Sequence, residues 1–151
     1  MTTVYDVPPQ KLIERLAELF KADEQLAPPE WAQFVKTGRH REKAPTDADW
    51  WYKRLAAVLR KVYLLGPIGS DRLAAEFGGS ADRGSKPNVA KKGSRAIVRR
   101  VLRQLEVRGY LTIEKRRGRA VSPEGRRLLD NTAHAIFKEM VESNPHLKKY
   151  A

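Results

Sequence analysis

The stretch "SRAIVRRVLRQLEVRGYLTIEKRRGRAVSPEG", residues 94–125, decides the fold. Up to about residue 108 its apolar residues fall within one arc at roughly 100° per residue, which predicts an amphipathic helix. After Gly109, apolar and polar residues alternate on both sides of "KRRGR", which predicts a two-stranded hairpin. Ser122-Pro123 then indicates the start of another helix, which is predicted to run to about residue 143.

Upstream of this stretch, the sequence predicts a long helix, a short helix and a loop. The long helix lies in "DADWWYKRLAAVLRKVYLLG", with Thr46 or Asp47 as its cap and Gly66 at its end. The short helix lies in "GSDRLAAEFGG", with Ser70 at its cap. Residues 78–93, "GGSADRGSKPNVAKKG", have no apolar periodicity, and we predict a loop there.

Two further helices are predicted near the N-terminus. In "VPPQKLIERLAELFKAD", apolar residues recur at helical spacing over roughly residues 9–22. "APPEWAQFVKTG" predicts a short helix that begins at proline and stops at Gly38. A polar surface loop, "RHREKAPTD", is predicted after it.

The order long helix, short helix, loop, helix, hairpin is that of a winged helix-turn-helix. The predicted class is therefore mainly α, a small α+β fold, with a winged helix-turn-helix core and a β-hairpin wing. Two extra helices precede this core and one follows it. We predict a single domain over residues 1–151, because no linker-like composition divides it. Its parts are the N-terminal helices (1–45), the winged-helix core (46–122), the C-terminal helix (123–143) and a tail (144–151).

The positive charge of the chain is concentrated in its middle. The formal net charge is +12. Residues 1–50 hold 7 basic and 9 acidic side chains, whereas residues 51–130 hold 20 and 7. A local surplus of this kind favours a binding face for a polyanion, and nucleic acid is the leading class of partner. The alternative is the generally basic surface of a thermostable protein, but such surfaces normally pair Lys with Glu.

Several other classes of function are excluded by what the sequence lacks. It has no cysteine, so disulfides, thiol catalysis and cysteine-based zinc sites are ruled out. "GGSADRGSK" lacks the order of a phosphate-binding loop, and the three histidines have no metal-ligand spacing. We predict no enzyme activity, catalytic residue, cofactor, metal or small-molecule substrate. No membrane span or signal peptide is evident, so a cytoplasmic protein is expected.

The predicted helix at residues 94–108 carries a row of like charges opposite its apolar arc. Arg95, Arg99 and Arg103 follow one another at four-residue spacing, with Arg100 beside them. Such a row repels itself by a few tenths of a kcal/mol per pair. An anionic partner along this side would explain the row, although arginine is also a good helix former on a solvated face.

A second basic face is predicted on the long helix. Lys53, Arg54, Arg60 and Lys61 gather around a small alanine, with Trp50 on the same side. Basic side chains beside an exposed aromatic suit RNA, which offers both phosphates and unstacked bases. Trp50 is equally consistent with a core position under the N-terminal helices.

The predicted loop and the wing add further basic residues. The loop contributes Arg83, Lys86, Lys91 and Lys92, and the wing tip contributes Lys115, Arg116, Arg117 and Arg119. Together with the two helices they predict a nucleic-acid-binding face. A winged helix is often a DNA-binding transcriptional regulator, which is the alternative reading. The helix at 94–108 offers chiefly arginine and one glutamine, which suits phosphates better than base edges.

Motifs along nearly the whole chain resemble one protein family. They are "YDV" (5–7), "PEW" (29–31), "KTG" (36–38), "DADWWYKR" (47–54), "RKVY" (60–63), "EFGG" (76–79), "KGS" (92–94), "RRVLRQLE" (99–106) and "SPEGRRLLD" (122–130). In this order they are similar to the archaeal and eukaryotic small-subunit ribosomal protein nineteen-e family.

The resemblance implies a winged-helix variant that binds ribosomal RNA in the head of the small subunit and supports maturation of that subunit. The implied partners are this RNA, neighbouring small-subunit proteins and assembly factors. The resemblance also implies a chain that is ribosome-associated in the cytoplasm and monomeric when free. Residues that match the family's basic and aromatic positions are Trp50, Tyr52, Arg54, Arg60, Lys92, Arg99, Arg100 and Gly118-Arg119.

Overall fold

The computed structural model describes residues 1–151 and contains five α-helices and two separate two-stranded antiparallel sheets. The elements are α1 (Pro9–Lys21), α2 (Trp50–Leu65), α3 (Ser70–Glu76), β1 (Gly79–Arg83), β2 (Lys86–Lys91), α4 (Arg95–Arg108), β3 (Leu111–Glu114), β4 (Gly118–Val121) and α5 (Pro123–Ser143). Short 3₁₀ helices lie at Val4–Asp6, Glu24–Leu26, Glu30–Phe34 and Pro145–Tyr150.

Helix α4 forms as its sequence pattern predicts. Its apolar arc, which includes Ile97, Val101 and Leu105, is fully buried. The Ser94 hydroxyl accepts a hydrogen bond from the Ile97 N–H at 3.4 Å, which caps the first turn. Gly109 ends the helix with φ +94°, a left-handed conformation that glycine adopts without the penalty of a side chain.

The winged-helix arrangement is confirmed. Helices α2, α3 and α4 are followed by the wing, β3 and β4, paired from Leu111–Val121 to Glu114–Gly118. Ile68 adds a single-residue third strand, because it exchanges two backbone hydrogen bonds of 3.0 Å with Arg119. A Cβ atom at Gly118 would lie 2.4 Å from the Ile68 carbonyl oxygen, so this close approach requires glycine.

The N-terminal segment is fixed to the core through a buried polar contact. Trp51 is almost completely buried, and its Nε1–H donates to Gln104 Oε1 at 2.9 Å. Gln104 Nε2 in turn donates to the Ala27 carbonyl at 2.7 Å. This side chain therefore joins α2, α4 and the segment after α1 while satisfying buried polar groups.

The prediction of a loop at residues 78–93 is wrong. The segment forms the β1–β2 hairpin, in which Gly79, Ser80 and Ala81 pair with Lys91, Ala90 and Val89. Gly84 takes φ +71° in the turn, where its N–H donates to Asp82 Oδ1 at 2.9 Å. Of the two strands only Ala81 is buried. The strands are held by backbone hydrogen bonds and have no buried face, so no apolar alternation revealed them.

Three helix boundaries also differ from the predictions. The short helix after α1 ends at Phe34 and not at Gly38, because the backbone is extended at Val35. Helix α2 begins at Trp50, with Asp49 at its N-cap position and no capping side chain. Asp47 instead accepts the Asp49 N–H at 2.9 Å. Ser70 is the first residue of α3 and does not cap it.

None of the helices is both long enough and apolar enough to cross a membrane. The apolar side chains instead form one buried cluster, to which α1, α2, α3, α4 and α5 all contribute. The basic side chains of the middle region lie outside this cluster.

Candidate nucleic-acid interface

Three arginines of α4 form the centre of the basic surface. Arg99, Arg100 and Arg103 are exposed, and together with Arg119 and Ser70 they line a cleft of about 380 Å³, defined here as the arginine cleft. No carboxylate lies within 4 Å of these three α4 side chains. Their positive charges are therefore free to meet an anion.

Arg119 connects the wing with this cleft but is itself paired. Its Nε donates to Glu106 Oε2 on α4 at 2.9 Å, and both side chains are roughly 30 % exposed or less. The ion pair fixes the guanidinium against α4. Arg119 therefore shapes the arginine cleft while supplying less free charge than its three neighbours.

The turn at the tip of the wing forms a second basic cleft against the start of α3. Arg116, with φ +64°, and Arg117 line it together with Arg72 and Asp71, in a volume of about 600 Å³. Lys115 is exposed near the tip of the wing and lines none of the clefts described here.

Helix α2 contributes a third cleft, of about 440 Å³, which Trp50, Lys53 and Arg54 line with His40 and Arg41. The Arg54 guanidinium packs over the Phe77 ring at 4.5 Å, and its Nη1 is buried without a hydrogen-bond partner. Burial, and then the charge of Arg41, lower the pKa of Arg54. Asp47 also lines this cleft but no carboxylate lies within 4 Å of Arg54, so this half-buried cation favours the binding of an anion.

Lys53, in the same cleft, already has an acidic partner. It forms an ion pair with Asp47, which raises the pKa of Lys53 and lowers the pKa of Asp47. An incoming anion would have to compete with this carboxylate. Lys53 is thus a weaker source of free charge than Arg54.

The aromatic residues of α2 point in different directions. Trp50 is half-buried and packs edge-to-face on Trp51 with ring centroids 5.3 Å apart, yet it also lines the α2 cleft. Trp50 thus combines the two placements that the sequence left open. Tyr52 packs against the apolar core and does not line this cleft.

The remaining α2 cations lie apart from the α2 cleft. Lys61 Nζ is 3.1 Å from Glu76 Oε2 on α3, and Arg60 Nε is buried without a hydrogen-bond partner. Neither residue lines the clefts described here. The structure therefore divides the four basic residues of this helix between two environments.

The β1–β2 hairpin places its basic residues at two ends. Lys91 and Lys92 lie at the base, where they line a fourth cleft with Arg95, the first residue of α4. Arg83 and Lys86 flank the exposed turn and line none of these clefts. Only the base of the hairpin adjoins the other basic clefts.

Three of the four basic clefts, all except the α2 cleft, meet at the first turn of α3. Asp71 lines both the wing cleft and the hairpin-base cleft, and its neighbour Ser70 lines the arginine cleft. Lys92 Nζ donates to Asp71 Oδ2 at 2.6 Å and lowers the pKa of Asp71, so this carboxylate stays ionised among the surrounding cations.

Sequence reasoning missed several basic residues of this surface. Lys36, Arg39 and Arg41 follow the Glu30–Phe34 turn, and Arg72 lies on α3. The basic composition of "VKTGRHREK" is a signal for the first three, although "VKTG" is predicted at the end of the short helix and "RHREK" in a polar loop without a binding role. Its position beside α4 depends on the tertiary fold.

The model of the ribosomal protein S19e family matches residues 3–139, which span α1 to most of α5. The chain belongs to this family. The resemblance drawn from the sequence motifs is thereby confirmed.

Relatives of the S19e chain come from archaea and from a eukaryote. Small ribosomal subunit protein eS19 of Thermoplasma acidophilum is 43% identical over 150 residues, with 99% of each chain covered. The protein of the same name from Aeropyrum pernix is 43% identical over 152 residues, again with 99% of each covered. Small ribosomal subunit protein eS19A of Schizosaccharomyces pombe is 39% identical over 140 residues, or 93% of this chain and 97% of the relative.

Proposed function

We propose that this chain is a structural constituent of the small ribosomal subunit, that it binds ribosomal RNA through its basic surface, and that it supports maturation of the subunit. Membership of the S19e family and the names of the relatives support the assignment to the small subunit. On this proposal the chain is ribosome-associated in the cytoplasm, and its partners are ribosomal RNA, neighbouring subunit proteins and assembly factors. It is monomeric when free and has no enzymatic role.

The observation that most directly supports RNA binding is the group of unpaired arginines on α4. Arg99, Arg100 and Arg103 are exposed together, and no acid neutralises them. Guanidinium groups bind phosphates well because their planar donors match the phosphate oxygens. Leaving three of them side by side costs repulsion that a bound RNA backbone removes.

The extent of the basic surface favours folded RNA over one groove of duplex DNA. Besides the arginine cleft, it includes the α2 cleft with Trp50 and Arg54 and the base of the β1–β2 hairpin. A winged-helix regulator reads bases with one helix in one major groove. Clefts on several elements instead suit an RNA that presents phosphates in several directions.

The test is the double substitution Arg99→Glu and Arg100→Glu, expressed in place of the wild-type chain. Wild-type protein should sediment with small subunits after a high-salt wash, whereas the variant should be largely absent from them. Both side chains are exposed and lie off the apolar arc of α4, so the free energy of unfolding should change by no more than about 0.5 kcal/mol.

Lys148→Glu with Lys149→Glu is the matched control, because it makes the same change in net charge at two exposed residues of the C-terminal 3₁₀ helix. This control should sediment with subunits as the wild type does. Retention of the Arg99 and Arg100 variant would contradict the proposal. Sequence-specific protection of a palindromic DNA duplex by the free protein would favour the DNA-binding regulator instead.

A further inference from the structure

The cleft at the base of the β1–β2 hairpin has a rigid frame. It measures about 820 Å³ and lies between residues 34–39 and residues 90–95; we call it the Phe34 groove. Gly38 and Gly93 form a β-bridge across its floor, and the Ser94 N–H donates to the Thr37 carbonyl at 2.9 Å. A Cβ atom at Gly93 would lie 2.8 Å from the Phe77 carbonyl oxygen, so the backbone packs closely here.

Phe34 lies at the edge of this groove, and its ring does not pack in the apolar core. It is 80% exposed, although its neighbour Val35 packs on the apolar core and Ala32 is buried. Trp31, in the same short 3₁₀ helix, packs edge-to-face on Trp51 at 5.6 Å. The helix thus anchors itself through its other residues and presents the Phe34 ring to solvent.

The groove carries a strong positive charge around this ring. It is lined by five cationic side chains, Lys36, Arg39, Lys91, Lys92 and Arg95, and by a single acid, Asp71. Asp71 is shared between Lys92, at 2.6 Å, and Arg95, at 3.7 Å. The other three cations have no carboxylate within 4 Å.

We infer that the Phe34 groove holds an unpaired nucleotide of RNA, with its base stacked on Phe34 and its flanking phosphates against the surrounding cations. An exposed aromatic ring within a basic groove matches both parts of a single-stranded nucleotide. Bases paired inside a duplex cannot stack on the ring, because both of their faces are covered by neighbouring base pairs. An acidic peptide would satisfy the cations but would leave the ring without a stacking partner. The inference rests on the proposed function and adds a subsite that selects unpaired bases.

The test compares the affinity of full-length variants for two RNA probes by fluorescence anisotropy. The probes are an oligoadenylate of about ten nucleotides, which matches the site sizes of single-strand binders, and a fully paired RNA duplex of the same length. Phe34→Ala should weaken oligoadenylate binding about tenfold, as expected for the loss of one base stack. Its affinity for the duplex should stay within about twofold, because the basic side chains are intact.

Two variants complete the design. Phe34→Trp should retain oligoadenylate binding, because the larger ring also stacks. Tyr150→Ala removes another exposed aromatic, at 69% exposure in the C-terminal 3₁₀ helix, and should affect neither probe. The melting temperature of Phe34→Ala should match the wild type, since the removed ring is exposed.

The inference is overturned if Phe34→Ala weakens both probes equally, weakens neither, or if the wild type fails to bind oligoadenylate at about 50 mM salt, where electrostatic binding is strong. Phe34-dependent binding of an oligoglutamate peptide would assign the groove to an acidic protein segment instead. None of these outcomes bears on sedimentation with small subunits, so failure of the inference and failure of the proposed function are distinguishable.

Discussion

Neutralising the three unpaired arginines of α4 should change how RNA binding depends on salt. The perturbation is Arg99→Gln with Arg100→Gln and Arg103→Gln, which removes three positive charges and keeps long polar side chains. All three are exposed and without a carboxylate within 4 Å. They can therefore bind phosphates without first giving up an ion pair.

The size of the effect follows from the number of charges removed. Each neutralised phosphate contributes about 0.7 to 0.9 to the slope of log K against log salt concentration, so loss of three contacts should lower the slope by roughly 2 to 3. Raising the salt concentration from about 50 to 200 mM should therefore weaken RNA binding by the variant roughly 20- to 40-fold less than RNA binding by the wild type. Lys53 and Lys61 should each contribute less, because Asp47 and Glu76 already pair with them.

The assay is titration of purified small-subunit ribosomal RNA with each protein at several salt concentrations. The matched control is Lys138→Gln with Lys148→Gln and Lys149→Gln, which removes three exposed cations that line none of the basic clefts. The control should keep the wild-type slope, and urea unfolding should show that both variants are as stable as the wild type within about 0.5 kcal/mol.

A slope unchanged by the α4 substitutions would refute the reasoning, because it would mean that these arginines contact no phosphate. A fall of the same size in the control would refute it as well, because RNA binding would then depend only on net charge. If the variant binds more weakly but its slope equals that of the wild type, the arginines contact bases and not the backbone.

Two predictions concern the framework that holds this surface. Gln104→Ala should lower the free energy of unfolding by about 2 to 4 kcal/mol, because it leaves the Trp51 Nε1–H and the Ala27 carbonyl without their partners; a urea unfolding midpoint equal to that of the wild type would contradict this. Gly118→Ala should lower the free energy of unfolding by more than about 2 kcal/mol, because φ is +104° and the new Cβ would lie 2.4 Å from the Ile68 carbonyl oxygen. A variant with wild-type thermal stability would contradict this, because the wing would then have shifted without penalty.

Helix positions and the wing could be predicted from the sequence because their signals are local. The apolar arc and the extent of α4 are encoded within one short stretch and are confirmed, and Ser94 and Gly109 lie at the two ends of the helix. The β1–β2 hairpin was not predicted because only Ala81 of its two strands is buried, so the sequence shows no apolar alternation there. Strand pairing without a buried face depends on backbone hydrogen bonds that composition does not reveal.

The winged-helix order and the large positive charge of the middle region are readable from the amino-acid sequence, because helical periodicity and side-chain charge are properties of local sequence. Which of those charges are unpaired depends on how the chain packs. Asp71 and Glu106 come from elsewhere in the chain to pair with Lys92 and Arg119, whereas no carboxylate lies within 4 Å of Arg99. The position of Phe34 beside the start of α4 likewise depends on the Gly38–Gly93 bridge, a contact between distant residues. Ion pairs and grooves of this kind are set by packing, and no local pattern encodes them.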